Sequence, residues 1–294
     1  MSLRLELLQV ARLAPKLLGD AAESVTTFLR SKLNDDGGFA DRSGASDLYY
    51  TVFGVEGLMA LRADIPRQQV ELYVRSFGDG KDLDLVHVSC LARCWAGLSA
   101  DVRSSAPREA ILRRVETFRS RDGSYNVSPR GKVGTLYGCF LALGAYEDLG
   151  VQLPDPDAML RCVARLRTDD GGYTNQEEVA VGLTPSTAAA VTLLRHLGCD
   201  ADDTVADWLM ARCRREGGFF AAEEAPIPDL LSTATALHAL AGLHADIDSI
   251  REPCLDFIDT LWTSKGAFYG NWADDIADCE YTYYALLALG HLSL

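Results

Sequence analysis

Carboxylates and a histidine stand together at three places where apolar helices are predicted to begin. The segments are 47–50 (Asp-Leu-Tyr-Tyr), 84–87 (Asp-Leu-Val-His) and 278–281 (Asp-Cys-Glu-Tyr). Such side chains bind divalent metals or act as general acids and bases, and crowding raises the pKa values of carboxyl groups. The predicted catalytic residues are Asp278, Glu280, Tyr281 and His87. The predicted ligands of a degenerate site for zinc or magnesium are Asp47, His87, Asp278 and Glu280.

The aspartates of these segments have a second interpretation. Asp47, Asp84, Asp229 and Asp278 each precede an apolar run. At such a position an aspartate accepts backbone N–H groups as an N-cap and interacts favourably with the helix dipole. His87 likewise has the alternative of being a core histidine on an apolar helix face. The sequence leaves both interpretations open.

Aromatic residues gather near the same helix starts. The predicted ligand-binding residues are Tyr49, Tyr50, Phe53, Tyr137, Phe140, Trp272 and Tyr284. If these helices surround a cavity, the rings form a pocket that suits a long apolar ligand. The alternative is that the rings fill the axis of the structure and leave no room for a ligand.

The elements that position these residues repeat along the chain. A turn of one or two glycines followed by an aromatic residue recurs, with its first glycine at positions 37, 123, 171, 217 and 266. A degenerate copy at 77–80 lies inside the first, double-length gap. Six units of roughly 45 residues result, and a period of that size indicates a repeat architecture.

Each unit contains a polar-faced helix, the glycine turn, a variable loop and a helix of small and apolar residues. The first helices are predicted at 20–33, 66–77, 106–119, 156–167, 202–214 and 249–263. The second helices are predicted at 47–62, 85–98, 133–147, 184–197, 229–243 and 278–292. We therefore predict an all-α fold, an α/α toroid (α6-α6 barrel) of six helical hairpins, as a single domain over residues 1–294. No strand is predicted.

Composition restricts the partners. The net charge of −14 argues against nucleic acid and against anionic membrane surfaces, which need basic patches. No apolar run has the length of a membrane span. Charged residues interrupt the leucines of residues 1–20, so we predict an amphipathic helix there and no signal peptide. The eight cysteines show no paired spacing and indicate free thiols in the cytoplasm.

The glycine turn followed by a small-residue helix resembles the repeat of the prenyltransferase and squalene-cyclase family. The β subunits of protein prenyltransferases, of the geranylgeranyltransferase type II kind, look closest. Residues 122–125 leading to 135–137 keep the spacing of their third repeat, and 47–54 is similar to the segment that carries their zinc histidine. The resemblance implies an isoprenoid or similar apolar ligand, or a peptide. It also implies a helical partner subunit.

The chain departs from that family at the chemistry. The family holds zinc with an Asp-x-Cys-Tyr segment and a histidine, but Glu280 or, if the repeats are counted strictly in order, Leu231 stands at the cysteine position here. Tyr50 or Tyr281 stands at the histidine position, depending on the register. The basic residues expected to bind a diphosphate are matched by Trp272 and Asp275. The family zinc site is therefore not intact, and ligands for a diphosphate are missing.

Three functions follow from these features. The favoured one is a prenyltransferase β-subunit-like barrel that binds an isoprenoid in a central cavity, with prenyl transfer uncertain. The alternative is a non-catalytic scaffold barrel whose acidic rim recognises a basic partner. A small terpenoid cyclase is least favoured, because the acid motif at 200–204 opens an outer helix and fits a helix cap.

Overall fold

The computed structural model describes residues 1–294. The second helices of the six units are α4 (Leu48–Ala60), α6 (Leu85–Gly97), α9 (Leu136–Asp148), α11 (Thr184–His196), α13 (Leu230–Gly242) and α15 (Cys279–Leu292). The first helices are α3 (Ala21–Ser31), α5 (Arg67–Ser76), α8 (Arg108–Glu116), α10 (Pro156–Arg165), α12 (Thr204–Met210) and α14 (Asp248–Thr260). The remaining elements are α1 (Leu3–Ala11), α2 (Pro15–Leu18), α7 (Ala100–Arg103), β1 (Phe39–Ala40) and β2 (Ser46–Asp47).

The helical hairpins form two concentric rings. The inner helices pack in the order α4, α6, α9, α11, α13 and α15, and α15 packs against α4 to close the ring. The outer helices pack against this inner ring, and 68 buried residues form one continuous hydrophobic core. The predicted all-α toroid of six hairpins is confirmed. The outer helices α8 and α12 are a few residues shorter than predicted, because their ends continue into turns.

One small sheet departs from the predicted absence of strands. Strands β1 and β2 pair antiparallel at the first glycine turn, with Phe39 opposite Asp47. The bridge of Phe219 with Asp229 repeats this pairing in a later unit, and the bridge of Tyr173 with Arg167 joins a turn aromatic to the end of its outer helix. These pairings hold the chain where it reverses between the outer and inner rings.

The inner helices begin at polar N-cap residues. The carboxylates of Asp47, Asp84, Asp229 and Asp278 accept backbone N–H groups of the first helical turn at distances between 2.7 and 3.2 Å. These bonds satisfy donors that a helix start leaves without intrahelical partners. The N-cap interpretation of the four aspartates is therefore confirmed.

A buried threonine joins the glycine turn to the inner helix in four units. The backbone N–H of the turn aromatic donates to a threonine hydroxyl oxygen in each of these pairs: Phe39 to Thr51, Tyr173 to Thr187, Phe219 to Thr233 and Phe268 to Thr282. The hydroxyl satisfies a buried backbone donor that would otherwise be costly. This bond fixes the position of each turn relative to the start of the inner helix.

Glycine is required where a turn touches the next outer helix. Gly217 has φ +97°, and a Cβ there would lie 1.7 Å from the carbonyl oxygen of Pro253 in α14. Gly266 has φ +80°, and its Cβ would lie 2.4 Å from the carbonyl oxygen of Ser24 in α3. The second contact joins the sixth unit to the first, so it closes the outer ring.

Helix α1 lies across the ends of the inner helices and packs against α4, α9 and α15. At Gly290 of α15 a Cβ would lie 2.1 Å from the carbonyl oxygen of Val10, so the two backbones are in direct contact. Leu8 and Ala11 are fully buried. The helix predicted within residues 1–20 is thus a cap over the end of the ring opposite the helix starts.

Glu6 anchors this cap to two inner helices. Its carboxylate accepts hydrogen bonds from Arg195 and, at 2.9 Å, from His196 Nε2, and it lies 3.3 Å from His238 Nε2. Burial opposes ionisation, but the hydrogen bonds from His196 and Arg195 lower the pKa of Glu6 to about 2. The folded-state pKa lies below the ordinary value, so the ionised carboxylate stabilises the fold above pH 4.5.

We expect Glu6→Gln to lower the free energy of unfolding by about 2–4 kcal/mol at pH 7, because it leaves buried cations without their carboxylate. Urea unfolding monitored by circular dichroism measures the loss. The difference from the wild type should shrink as the pH falls from 4.5 towards 2. Glu23→Gln on the exposed face of α3 is the matched control. Equal losses in the two variants would contradict the anchoring role.

Candidate functional site: the central cavity

The inner ring encloses a cavity of about 420 Å³, a volume typical of small-molecule sites. Of its 28 lining residues, 17 are hydrophobic, so the wall favours an apolar occupant. All six inner helices contribute, and α1 adds Leu3, Arg4 and Leu7 at the end that it covers. The other end, the mouth, lies at the inner helix starts, where Tyr137 is 40% exposed.

Aromatic rings form the wall near the mouth. Tyr49 and Phe53 pack edge to face with ring centroids 4.9 Å apart, and Phe53 lies 5.6 Å from Tyr284. Five of the seven predicted ligand-binding residues line the cavity, namely Tyr49, Phe53, Tyr137, Phe140 and Tyr284. The structure therefore brings most of the predicted aromatic set together around one hollow.

Trp272 and Tyr50 correct this prediction. Trp272 packs edge to face on Phe257 of outer helix α14 and donates Nε1–H to the Thr260 hydroxyl at 2.8 Å, outside the cavity. Its loop passes over the outer ring before the last inner helix begins. Tyr50 does not line the cavity either, because the next residue of a helix is rotated by about 100° from Tyr49.

Asp278 is engaged in a structural ion pair. Its Oδ2 accepts a 2.7 Å hydrogen bond from Arg42 Nε, while its Oδ1 caps the Tyr281 N–H. Arg42 also donates to both carboxylate oxygens of Asp274. Burial raises the pKa of Asp278 despite these bonds, and the carboxyl does not line the cavity. Arg42, in the first variable loop, was not singled out in the sequence.

Glu280 and Tyr281 sit beside the mouth rather than inside it. The Tyr49 hydroxyl donates to Glu280 Oε1 at 2.6 Å. Burial raises the pKa of Glu280 to about 7, and the bond from Tyr49 opposes that rise. The ring of Tyr281 stacks under the Arg42 guanidinium, 5.4 Å from its centroid. Neither side chain lines the cavity, so the predicted catalytic group is not assembled on its wall.

His87 bridges two helix starts. Its Nε2 lies 3.1 Å from Asp47 Oδ2 and its Nδ1 lies 2.8 Å from Asp84 Oδ1. The hydrogen bond to Asp47, opposed by burial and supported by Asp84, raises the pKa of His87 to about 9. The protonated imidazolium donates one N–H group to each of the two carboxylates. His87 therefore joins the starts of α4 and α6.

The predicted metal site is corrected by this geometry. Asp47 and His87 bind each other, Asp278 binds Arg42, and Glu280 binds Tyr49. Nowhere in the chain do three histidine, cysteine or carboxylate side chains converge as a metal-binding group. The residues present do not fit the zinc that the resemblance implies, since no thiolate or free imidazole lies at the mouth.

The inner end of the cavity is polar, and sequence reasoning missed it. Glu56, 2% exposed, accepts hydrogen bonds from Nε and Nη2 of Arg93, and its Oε1 lies 3.0 Å from Arg4 Nε. Arg4, Arg93, Asp148 and His238 line the cavity there. The available signal was one charged residue inside each of the apolar helices α4 and α6, namely Glu56 and Arg93.

The sequence pattern of the prenyltransferase alpha-alpha toroid domain matches residues 16–91, 72–221 and 200–293. These segments together cover nearly the whole chain and coincide with the ring described above. The chain belongs to the prenyltransferase alpha-alpha toroid family. The family expected from the glycine turns is confirmed.

Solved structures with this fold have diverse chemistry. The protein geranylgeranyltransferase-I of Candida albicans, complexed with GGPP, shares 14% identity and a TM-score of 0.67 over 90% of this chain and 89% of its own. A variant of the type II terpene cyclase MstE from Scytonema, in complex with geranylgeranyl dihydroxybenzoate, shares 12% identity at a TM-score of 0.61. The match covers 95% of this chain and 97% of the cyclase. A polysaccharide lyase shares 12% identity with this chain at a TM-score of 0.58, and the match covers 95% of this chain and 97% of the lyase.

At these identities the likeness concerns the fold alone. No curated protein sequence matches this chain. None of the helices combines the length and apolarity that crossing a membrane requires.

We expect His87→Asn to lower the thermal midpoint by about 2–4 °C below pH 6.5. The folded pKa of His87 is raised, so its contribution is complete below the unfolded value and is lost as the pH rises through 9. Thermal scans from pH 5.5 to 9.5 measure the difference from the wild type. His244→Asn, at an exposed histidine, is the control. A difference that stays constant over this range would contradict the charged bridge.

Proposed function

We propose that this toroid binds an isoprenoid, or another elongated apolar molecule, in its central cavity. The observation that carries the proposal is the mostly apolar wall, with five aromatic residues at the mouth and a volume in the range of ligand sites. Two proteins of the same fold act on or bind geranylgeranyl compounds by name, which supports an isoprenoid as the occupant.

The charges at the mouth favour an uncharged terminus there. Arg42 is already bound by Asp274 and Asp278. Asp47, Asp84 and Glu280 add further carboxyl groups around the helix starts. A diphosphate placed at this end would need free cationic or N–H partners. We therefore propose binding of the isoprenoid without zinc-dependent transfer from a diphosphate at the mouth.

A cavity-filling variant tests the proposal. Gly144 lines the cavity from α9, and a Cβ added there meets no atom within 4 Å. We expect Gly144→Leu to fold normally, because a helix interior favours leucine over glycine, and to weaken binding at least about tenfold by occupying ligand space. Equilibrium binding of radiolabelled geranylgeraniol is the measurement. Gly144→Ala, at the same position with little added volume, is the matched control.

The same assay includes geranylgeranyl diphosphate with and without zinc, and zinc should not change the affinity for it. Binding of neither compound, or equal binding by the leucine and wild-type proteins, would contradict a ligand in the cavity. A chain that binds neither compound but captures basic peptides would instead support a scaffold with an acidic rim.

A further inference from the structure

The cavity ends on charged side chains instead of apolar ones. Arg4 from α1, Arg93 from α6 and Asp148 from the last residue of α9 all line this inner end. From Tyr137 at the mouth to Asp148 is roughly 16 Å along α9, by the rise per residue of a helix. An elongated ligand that enters at the aromatic mouth therefore reaches a polar group at its far terminus.

Donors outnumber acceptors at this inner end. Arg93 donates hydrogen bonds from Nε and Nη2 to the Glu56 carboxylate. The Nε of Arg4 lies 3.0 Å from the same carboxylate but makes no hydrogen bond to it. The Nη2 of Arg4 reaches only the Met59 sulfur, at 3.5 Å. One carboxylate cannot satisfy two guanidinium groups, which together carry ten N–H donors.

Asp148 has no partner within the protein. It makes no hydrogen bond, and only burial and the more distant charges of Arg93, Arg4, Glu56 and Glu147 act on it. Burial, opposed by Arg93 and Arg4, raises the pKa of Asp148 to about 7. A carboxyl that lines the cavity without a hydrogen-bond partner is costly when it is ionised, so its position in the wall indicates a bond that a ligand completes.

The formal charges at the inner end favour an anionic group on that ligand. Burial lowers the pKa of His238 to about 4, so it is neutral at pH 7. His196 binds both Glu147 and Glu6. The negative charges of these two carboxylates are balanced by the positive charges of His196 and Arg195. What remains is Arg4 and Arg93 against Glu56 and Asp148, so one positive charge is uncompensated whenever Asp148 is protonated.

We propose that Asp148, Arg93 and Arg4 form a headgroup site for the carboxylate of an elongated apolar acid whose chain fills the barrel. This inference rests on the proposed function, because it needs the cavity to hold an apolar chain. The protonated Asp148 donates its O–H to one carboxylate oxygen of the ligand, and guanidinium N–H groups donate to the other. Charge-assisted bonds of this kind are about twice as strong as neutral ones.

Proton linkage provides the test. A bound carboxylate raises the pKa of Asp148 further, so binding above pH 7 takes up a proton. The affinity for geranylgeranoic acid should therefore be roughly tenfold weaker at pH 8 than at pH 6, whereas the affinity for geranylgeraniol should not change with pH. Calorimetry in buffers of different ionisation enthalpy measures both the affinity and the proton uptake.

Two variants at one position separate the headgroup from the chain. Asp148→Asn keeps a hydrogen-bond donor of the same shape, so it should retain acid binding and lose proton uptake. Asp148→Leu removes the donor and should weaken acid binding at least about tenfold while geranylgeraniol still binds. Circular dichroism of both variants checks their folding.

The outcomes are distinct. Tighter binding of the acid than of the alcohol, with proton uptake that disappears in Asp148→Asn, supports the headgroup site. If both compounds bind equally in all variants, or if Asp148→Asn still takes up the proton, the headgroup site is overturned while the proposed function stands. If neither compound binds the wild-type protein, both proposals fail.

Discussion

Ring closure is the constraint on which this structure depends. The inner helices are apolar on nearly every side, so one hairpin alone exposes most of the surface that it must bury. The contact of Gly266 with the Ser24 backbone, and that of α15 with α4, give the first and last units the neighbours that they need. Helix α1 then covers one end of the ring, and the hollow left along the axis becomes the cavity.

The charges inside the ring give the cavity two different ends. At the mouth, carboxylates cap helix starts and take up Arg42 and His87. At the inner end, Glu56 lies close to two guanidinium groups in a buried environment, where an unpaired charge is costly. Asp148 is the exception to that pairing. The apolar wall therefore lies between a mouth rich in carboxyl groups and an inner end that carries two arginines.

Local signals predicted much of this arrangement. The glycine turns and apolar runs gave the six hairpins and their order, and the aspartates before those runs are N-caps. The aromatic set was largely found because residues near inner helix starts point to a common axis. Trp272 was misplaced because its loop crosses the outer ring before α15 begins. Tyr50 was misplaced because one step along a helix turns a side chain to a different neighbour.

The sequence by itself determined the repeat and the closed toroid, since these depend on spacing and residue type within each unit. The tertiary structure alone decided which charges meet. His87 contacts Asp47 across 40 positions, and Arg42 contacts Asp278 across 236. Arg4, Arg93 and Asp148 converge only after α1 folds over the ring. Such pairings depend on how each helix is rotated about its axis and on how the ring closes. Local sequence patterns do not predict either of these at the level of single side chains.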